Sequence, residues 1–124
     1  MAVKVLVVED DKDIRRNMQR LLESEGYAVE VAANGRIALD ALAAMPALPA
    51  LIILDLMMPV MDGFQFREAE AKSDRIAQIP VVIMTADGHI DEKRAQTGAH
   101  ASLRKPADVD AILQVVADLC RGAS

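Results

Sequence analysis

Short apolar runs alternate with helix-period segments along the whole chain. Val3 to Val8 is nearly continuous and β-branched, which predicts a strand buried on both faces. From Ile14 the period changes: Ile14, Met18, Leu21 and Leu22 form one face of a helix, with Asp11 or Asp13 as N-cap and Gly26 as stop. Ala28 to Ala33 predicts a second strand. Asn34-Gly35 then turns into an Ala-rich helix carrying Ala38, Leu42 and Met45, closed by Pro46 and Pro49. Leu51 to Leu54 reads as a third strand and Gly63 to about Lys72 as a third helix. Pro80 opens the strand Val81 to Met84, where its missing N–H does little harm. The polar segment Asp91 to Thr97 is the least pronounced helix, and Ala101 to Leu103 is a short strand. Val109 to Cys120 closes the chain as a helix with Val109, Ile112, Leu113, Val116 and Leu119 on one face.

The order is strand then helix, repeated to the end. It predicts an α/β fold: a doubly wound, five-stranded parallel sheet with helices on both faces and right-handed crossovers. No internal repeat, low-complexity tract or linker interrupts it. The expectation is one domain over residues 1–124, with no effector domain. In such sheets ligands sit outside the carboxyl ends of the strands. That rule gathers Glu9 and Asp10 after the first strand, Asp55 after the third, Thr85 after the fourth and Lys105 after the fifth.

Composition narrows the classes. Hydrophobic residues make up 52% of the chain, enough for a packed core. A formal net charge of -5 argues against nucleic acid as a partner, because a phosphate backbone calls for surplus Lys and Arg. Cys120 stands alone, which excludes an internal disulfide and fits a reducing compartment. No apolar stretch approaches the roughly 20 residues that span a bilayer, and the amino-terminal run is too short for a secretory signal. The expectation is a cytoplasmic protein that meets no membrane. Aromatics are Tyr27, Phe64 and Phe66 alone, so the core must be aliphatic and filled by methionine.

The acid at the end of the third apolar run, in LDLMMPVMDG (Leu54 to Gly63), is the most telling residue, since a lone buried charge is costly. Three carboxylates at one sheet edge repel one another, and at least one is driven towards a raised pKa. A divalent cation removes the conflict. An open, oxygen-rich site suits Mg²⁺, with Mn²⁺ as an alternative, completing its shell with water and phosphate oxygens. Three acids, one lysine and the cation sum to a neutral pocket that admits a phosphoryl group. Asp55 has the chemistry of a nucleophile that forms an acyl phosphate. Lys105 offers a point charge, and Thr85 a hydroxyl donor, to the phosphoryl oxygens.

These pieces resemble the receiver domain of two-component response regulators over essentially the full length: VLVVEDD (Val5 to Asp11), LDLMMPVMDG, IPVVIMTAD (Ile79 to Asp87) and LRKP (Leu103 to Pro106). The resemblance implies a flavodoxin-like fold with strand order 2-1-3-4-5, and Asp55 as acceptor of phosphate from a histidine kinase or a histidine phosphotransfer protein. It implies that Asp10 and Asp55 bind Mg²⁺, that Glu9 assists through water, and that the Met57 backbone carbonyl is a further ligand. It also implies a cis peptide at Lys105-Pro106. Output would pass to an unknown downstream protein from a monomer or weak dimer, with no catalysis beyond phosphoryl transfer to, and hydrolysis from, Asp55. Two positions depart from the family: Ser102 replaces its usual inward-swinging aromatic, and Ala107 its usual Phe. The segment between Thr85 and Lys105 is also slightly short.

Plainer readings apply elsewhere. Asp11 and Asp13 read as helix caps, Asp62-Gly63 as a turn, His89 and His100 as exposed loop residues, Cys120 as core or helix flank, and Met57, Met58 and Met61 as local packing. A haloacid-dehalogenase-like phosphatase would need a second Asp where Met57 stands. A flavin carrier would need a Ser/Thr-rich loop where Glu9 to Asp11 stand. A receiver-like interaction module that never takes phosphate is opposed by the complete set of acids, Thr85 and Lys105.

Overall fold

The computed structural model describes residues 3–58, 60–86, 89–105 and 108–120. The strands are β1 (Lys4–Val8), β2 (Ala28–Ala32), β3 (Leu51–Asp55), β4 (Val81–Thr85) and β5 (Ala101–Arg104). The helices are α1 (Lys12–Ser24), α2 (Gly35–Ala44), α3 (Gly63–Ala71), α4 (Ile90–Thr97) and α5 (Val109–Cys120). The strands form one parallel sheet in the order β2-β1-β3-β4-β5. Burial follows that order. β3 and β4 are buried at every position, whereas the edge strands β2 and β5 are mostly open or half-buried. Continuous apolar runs therefore occupy the middle of the sheet, where both faces are covered.

Two cores result, one on each face. Leu6, Val8, Ile52, Leu54 and Ile83 pack with Ala38 and Leu42 of α2 and Phe66 of α3. Val5, Val7, Leu51, Ile53, Val82 and Met84 pack with Met18 and Leu22 of α1 and Ile112, Val116 and Cys120 of α5. Both cores are aliphatic and methionine-rich, and Phe66 is the one fully buried aromatic among the described residues.

Helix starts follow local chemistry. Asp11 caps α1, its carboxylate accepting the N–H groups of Asp13 and Ile14. Asn34 caps α2 through the N–H of Ile37. Asp62 and Gln65 close a capping box at α3. α4 ends at Gly98, whose φ of 69° is the left-handed conformation that glycine adopts without strain.

Some expectations need correction. β3, β4 and β5 each run one residue further, so Asp55 and Thr85 lie in their strands rather than after them. β2 stops at Ala32, one residue short of Ala33. On α5, Val109 of the expected apolar face is 51% exposed, while Cys120, read as core or helix flank, is buried. No helix among the described residues is long and apolar enough to cross a membrane.

Candidate functional site: an acidic pocket with one lysine

The carboxyl edge of the sheet collects the charged residues. Glu9 continues the ladder one residue past β1, its N–H donating to Ala32 O at 3.0 Å, and is fully buried. Asp10 is exposed beside it. The turn into α1 is fixed from two sides. The Asp11 N–H donates to Glu9 Oε2 at 3.1 Å, and the Arg15 guanidinium donates to the Glu9 carbonyl at 3.0 Å. Sequence reading gives Arg15 no role, since an arginine on the first turns of a helix reads as solvated.

Asp55 ends β3 with 2% of its surface exposed, and its Oδ1 accepts the Met57 N–H at 3.1 Å. The chain then turns sharply. The Gly63 N–H donates to Leu56 O at 3.0 Å, and a Cβ at Gly63 would stand 2.5 Å from Leu56 Cδ2 and 2.8 Å from Leu56 Cα. Glycine is required there by close approach. The loop leaving Asp55 exposes Met57 and Val60, while Met58 is buried and Met61 packs on the core. The methionine cluster is thus local packing at two of its three positions.

Thr85 is fully buried at the end of β4, and its carbonyl accepts the Lys105 N–H at 2.9 Å. That bond carries the lysine over the pocket. The Lys105 ammonium stands 3.1 Å from Asp55 Oδ2 and 2.6 Å from Glu9 Oε1. The closer approach is off the direction of a hydrogen bond, so Glu9 Oε1 is held by charge and lacks a hydrogen-bond partner among the described residues.

The pocket's titration is skewed by its crowding. Burial pushes the Glu9 carboxyl up to about 7, with Asp55 adding to the rise against the pull of Lys105. Burial acts upward on Asp10 as well, but its interactions with Glu9 and Asp55 outweigh it and hold that carboxyl below the ordinary value. For Lys105, burial acts downward, and the contacts with Glu9 and Asp55 overcome it and raise the ammonium. One carboxyl of the three is thus disfavoured as an anion, the consequence expected of three acids sharing a site.

Carboxylate oxygens of Glu9, Asp10 and Asp55 all lie within 4.8 Å of one another. A hard divalent cation takes oxygen ligands of this kind. The buried Glu9 Oε1, held by the Lys105 charge without a hydrogen bond, and the excess of negative charge fit such an ion.

The remaining sequence-marked residues fall elsewhere. Asp13 lies in the first turn of α1, and Asp62 caps α3. His89 precedes α4, and His100 is exposed, its Nδ1 accepting the Val81 N–H at 3.3 Å. Ser102 is half-buried on β5. The cis peptide expected at Lys105-Pro106, and Ala107, lie outside the described residues. Glu70 was missed altogether. It is fully buried on α3, paired with Arg67, and burial raises its carboxyl against the pull of that arginine. Its setting in an otherwise polar helix, GFQFREAEA, gives no sign of burial.

Comparison with known proteins agrees with this geometry. The family model of the response regulator receiver domain matches residues 5–117. Response regulator Rre1 of Synechocystis is 38% identical over 120 residues, covering 94% of this chain and 51% of that protein. Response regulator MprA of Mycolicibacterium vanbaalenii is 36% identical, covering 98% of this chain and 52% of that protein. The chain thus spans about half the length of these curated relatives. Among solved structures, the chemotaxis protein CheY4 of Vibrio cholerae superposes with a TM-score of 0.87 at 31% identity, covering 96% of this chain and 99% of that one. The receiver domain of the Francisella response regulator 1452 superposes with a TM-score of 0.87 at 28% identity, covering 98% and 99%. The strand order, the acid-rich edge and these matches together place the chain in one family: it belongs to the receiver domains of two-component response regulators.

Proposed function

We propose that this receiver domain accepts a phosphoryl group on Asp55 from the phosphohistidine of a sensor kinase or a histidine phosphotransfer protein, and passes the signal on by protein–protein contact. The observation that carries this reading is the Lys105 ammonium held between Asp55 and Glu9, at 3.1 and 2.6 Å, over a buried carboxylate. Asp55 Oδ2 attacks phosphorus, the P–N bond to the donor imidazole breaks, and an acyl phosphate forms. The imidazole leaves with the bonding pair and takes a proton. The β3 strand fixes the nucleophile, and the Met57 N–H on Oδ1 leaves Oδ2 to react. Lys105 loses an anionic partner as Asp55 becomes an acyl phosphate, and pairs with a phosphoryl oxygen. Thr85 donates its hydroxyl to another.

Glu9, Asp10, Asp55 and the Met57 carbonyl would hold Mg²⁺, or Mn²⁺ in its place. When bound, the ion supplies charge neutralisation and orientation of the phosphoryl oxygens. The domain is otherwise not an enzyme, its turnover being limited to hydrolysis of its own acyl phosphate.

Intact-protein mass after incubation with acetyl phosphate and Mg²⁺ tests this. The expected result is a gain of one phosphoryl group, lost in Asp55→Asn and without metal. An unchanged mass with acetyl phosphate and with a phosphorylated histidine donor alike overturns it.

A carrier reading draws on Ser102. β5 reads Ala-Ser-Leu-Arg and bears no aromatic to swing inward, so phosphate relay without a large shape change is favoured over an aromatic switch. Transfer from phosphorylated Asp55 back to a histidine phosphotransfer protein, with no phosphorylation-dependent capture of another target, is the result this reading expects. Phosphorylation-dependent binding without back-transfer would discard it.

A further inference from the structure

Met57 is the one member of its methionine cluster that packing does not explain. It is 67% exposed, whereas Met58 is 8%, Met18 5% and Met84 1% exposed. Met45 and Met61 are partly buried against the core. Gly35 closes Met61 in further, since a Cβ at that glycine would stand 3.1 Å from the Met61 sulfur. Among the described residues, one thioether is thus open to small molecules in water.

Its place in the chain gives that exposure a consequence. The Met57 N–H donates to Asp55 Oδ1 at 3.1 Å. The Met57 Cα is one bond of about 1.5 Å beyond that nitrogen, so it lies within about 4.6 Å of the Asp55 carboxylate. A thioether left in water contributes no burial energy. It keeps its chemistry, that of a soft sulfur that takes oxygen from peroxides and becomes a polar sulfoxide.

We propose that Met57 is a site of reversible oxidation: a peroxide converts it to the sulfoxide, and the sulfoxide slows phosphoryl acceptance at Asp55. The effect on rate rests on the reading of Asp55 as phosphoacceptor. The sulfur lone pair attacks one oxygen of hydrogen peroxide, and an S–O bond forms as the O–O bond breaks. The leaving hydroxide takes the proton from the sulfur-bound oxygen, so the products are the sulfoxide and water. Sulfur is oxidised by two electrons and the peroxide is reduced by two. The new oxygen carries partial negative charge. The pocket beside it already sets three acids against one lysine, and the incoming phosphoryl group is itself an anion. More negative charge at the rim opposes its approach. The Met57 backbone is unchanged, so its N–H still holds Oδ1 and the fold is not weakened. Oxidation of Met18, Met58 or Met84 acts otherwise, placing a polar oxygen in a core and lowering stability.

Graded amounts of hydrogen peroxide test this on the full chain, with peptide mass mapping to locate the added oxygen and thermal unfolding to follow the fold. Met57 is expected to oxidise about tenfold faster than Met18, Met58 or Met84, because susceptibility follows exposure. Once Met57 is converted, the initial rate of phosphoryl gain from acetyl phosphate and Mg²⁺ is expected to fall about threefold, the scale of one exposed electrostatic contact, at unchanged Tm. Methionine sulfoxide reductase is expected to restore the rate. Met57→Leu, of similar volume and without sulfur, is compared with itself before and after the same peroxide and is expected not to slow. A buried methionine that oxidises as fast as Met57 overturns the inference. So does full conversion of Met57 at an unchanged rate, or equal slowing of Met57→Leu. If the reading of Asp55 is what fails, the unoxidised wild type itself gains no phosphoryl group, and the effect on rate falls with it.

Discussion

Lys105 sits within charge range of two carboxylates, and both are more buried than it is. Removing the ammonium leaves two acids facing each other without compensation, the costly half of a broken buried pair. Lys105→Ala is therefore expected to lower apo stability and to cut phosphorylation by acetyl phosphate about 100-fold, as loss of one charge-stabilising donor does. Mg²⁺ affinity should change far less, and equal losses in both would refute the role given to the lysine. Asp55→Asn works in the opposite direction. It removes one of three crowded acids while keeping an oxygen to accept the Met57 N–H. The apo protein should gain about 1 kcal/mol, read as a rise of about 4 °C in Tm, and lose phosphorylation entirely. A marked fall in Tm would show that the Lys105 contact outweighs the carboxylate repulsion.

Helices and turns were legible wherever the signal is local. Asp11, one of two residues offered as the cap of α1, caps it, and Asn34 and Asp62, read as turns, cap α2 and α3. The continuous runs of β3 and β4 announced their double burial. Gly63 was readable as a turn residue, but not its reason, which is the packing of Leu56 against it. Gly63→Ala should cost about 1–3 kcal/mol by overpacking, seen as a lower denaturation midpoint, since the second-nearest contact, Leu56 Cα, is backbone that cannot swing aside. Glu70 could not be read at all, because its burial depends on the tertiary packing of α3, which that helix's polar sequence does not show. Its raised carboxyl binds a proton more tightly when folded than when unfolded. The stability this gives is fully present below the unfolded value of 4.5 and is lost as pH rises towards the folded value. Glu9 acts with the same sign up to about pH 7, so the difference between variant and wild type isolates Glu70. Glu70→Gln, which still accepts from Arg67, should raise Tm at pH 7 and leave it nearly unchanged at pH 4.5. An equal effect at both values would exclude a titrating carboxyl.

At the scale of the molecule, the sheet order places the site and the two cores keep it rigid. The acids of β1 and β3 and the lysine after β5 lie far apart in sequence, and the parallel topology brings them to one edge. That edge was legible because strand ends can be counted. The division of labour between the two faces was not. Which helices pair across the sheet, and which groove stays open between α1 and α5, follows from side-chain volumes at Met18, Met84 and Ile112 that no pattern of polar and apolar positions encodes.

Arg67 ties the tail of α4 to α3, its Nε donating to Thr97 O at 2.9 Å and its terminal nitrogen reaching Gly98 O at 3.4 Å. The head of the same helix starts at His89, whose side chain closes no capping bond. α4 is thus tied to α3 at the end away from the phosphoryl site, like a lever with its fulcrum at Gly98, while the contacts of His89 at the other end, with Glu92 and Lys93, stay within the helix. Amide protons should record this as a gradient: deuterium enters the first turn of α4 soonest and the Thr97 end last, and Arg67→Ala levels the gradient by freeing the pivot. Uniform exchange along α4 in the unaltered protein would show that the tether carries no mechanical weight.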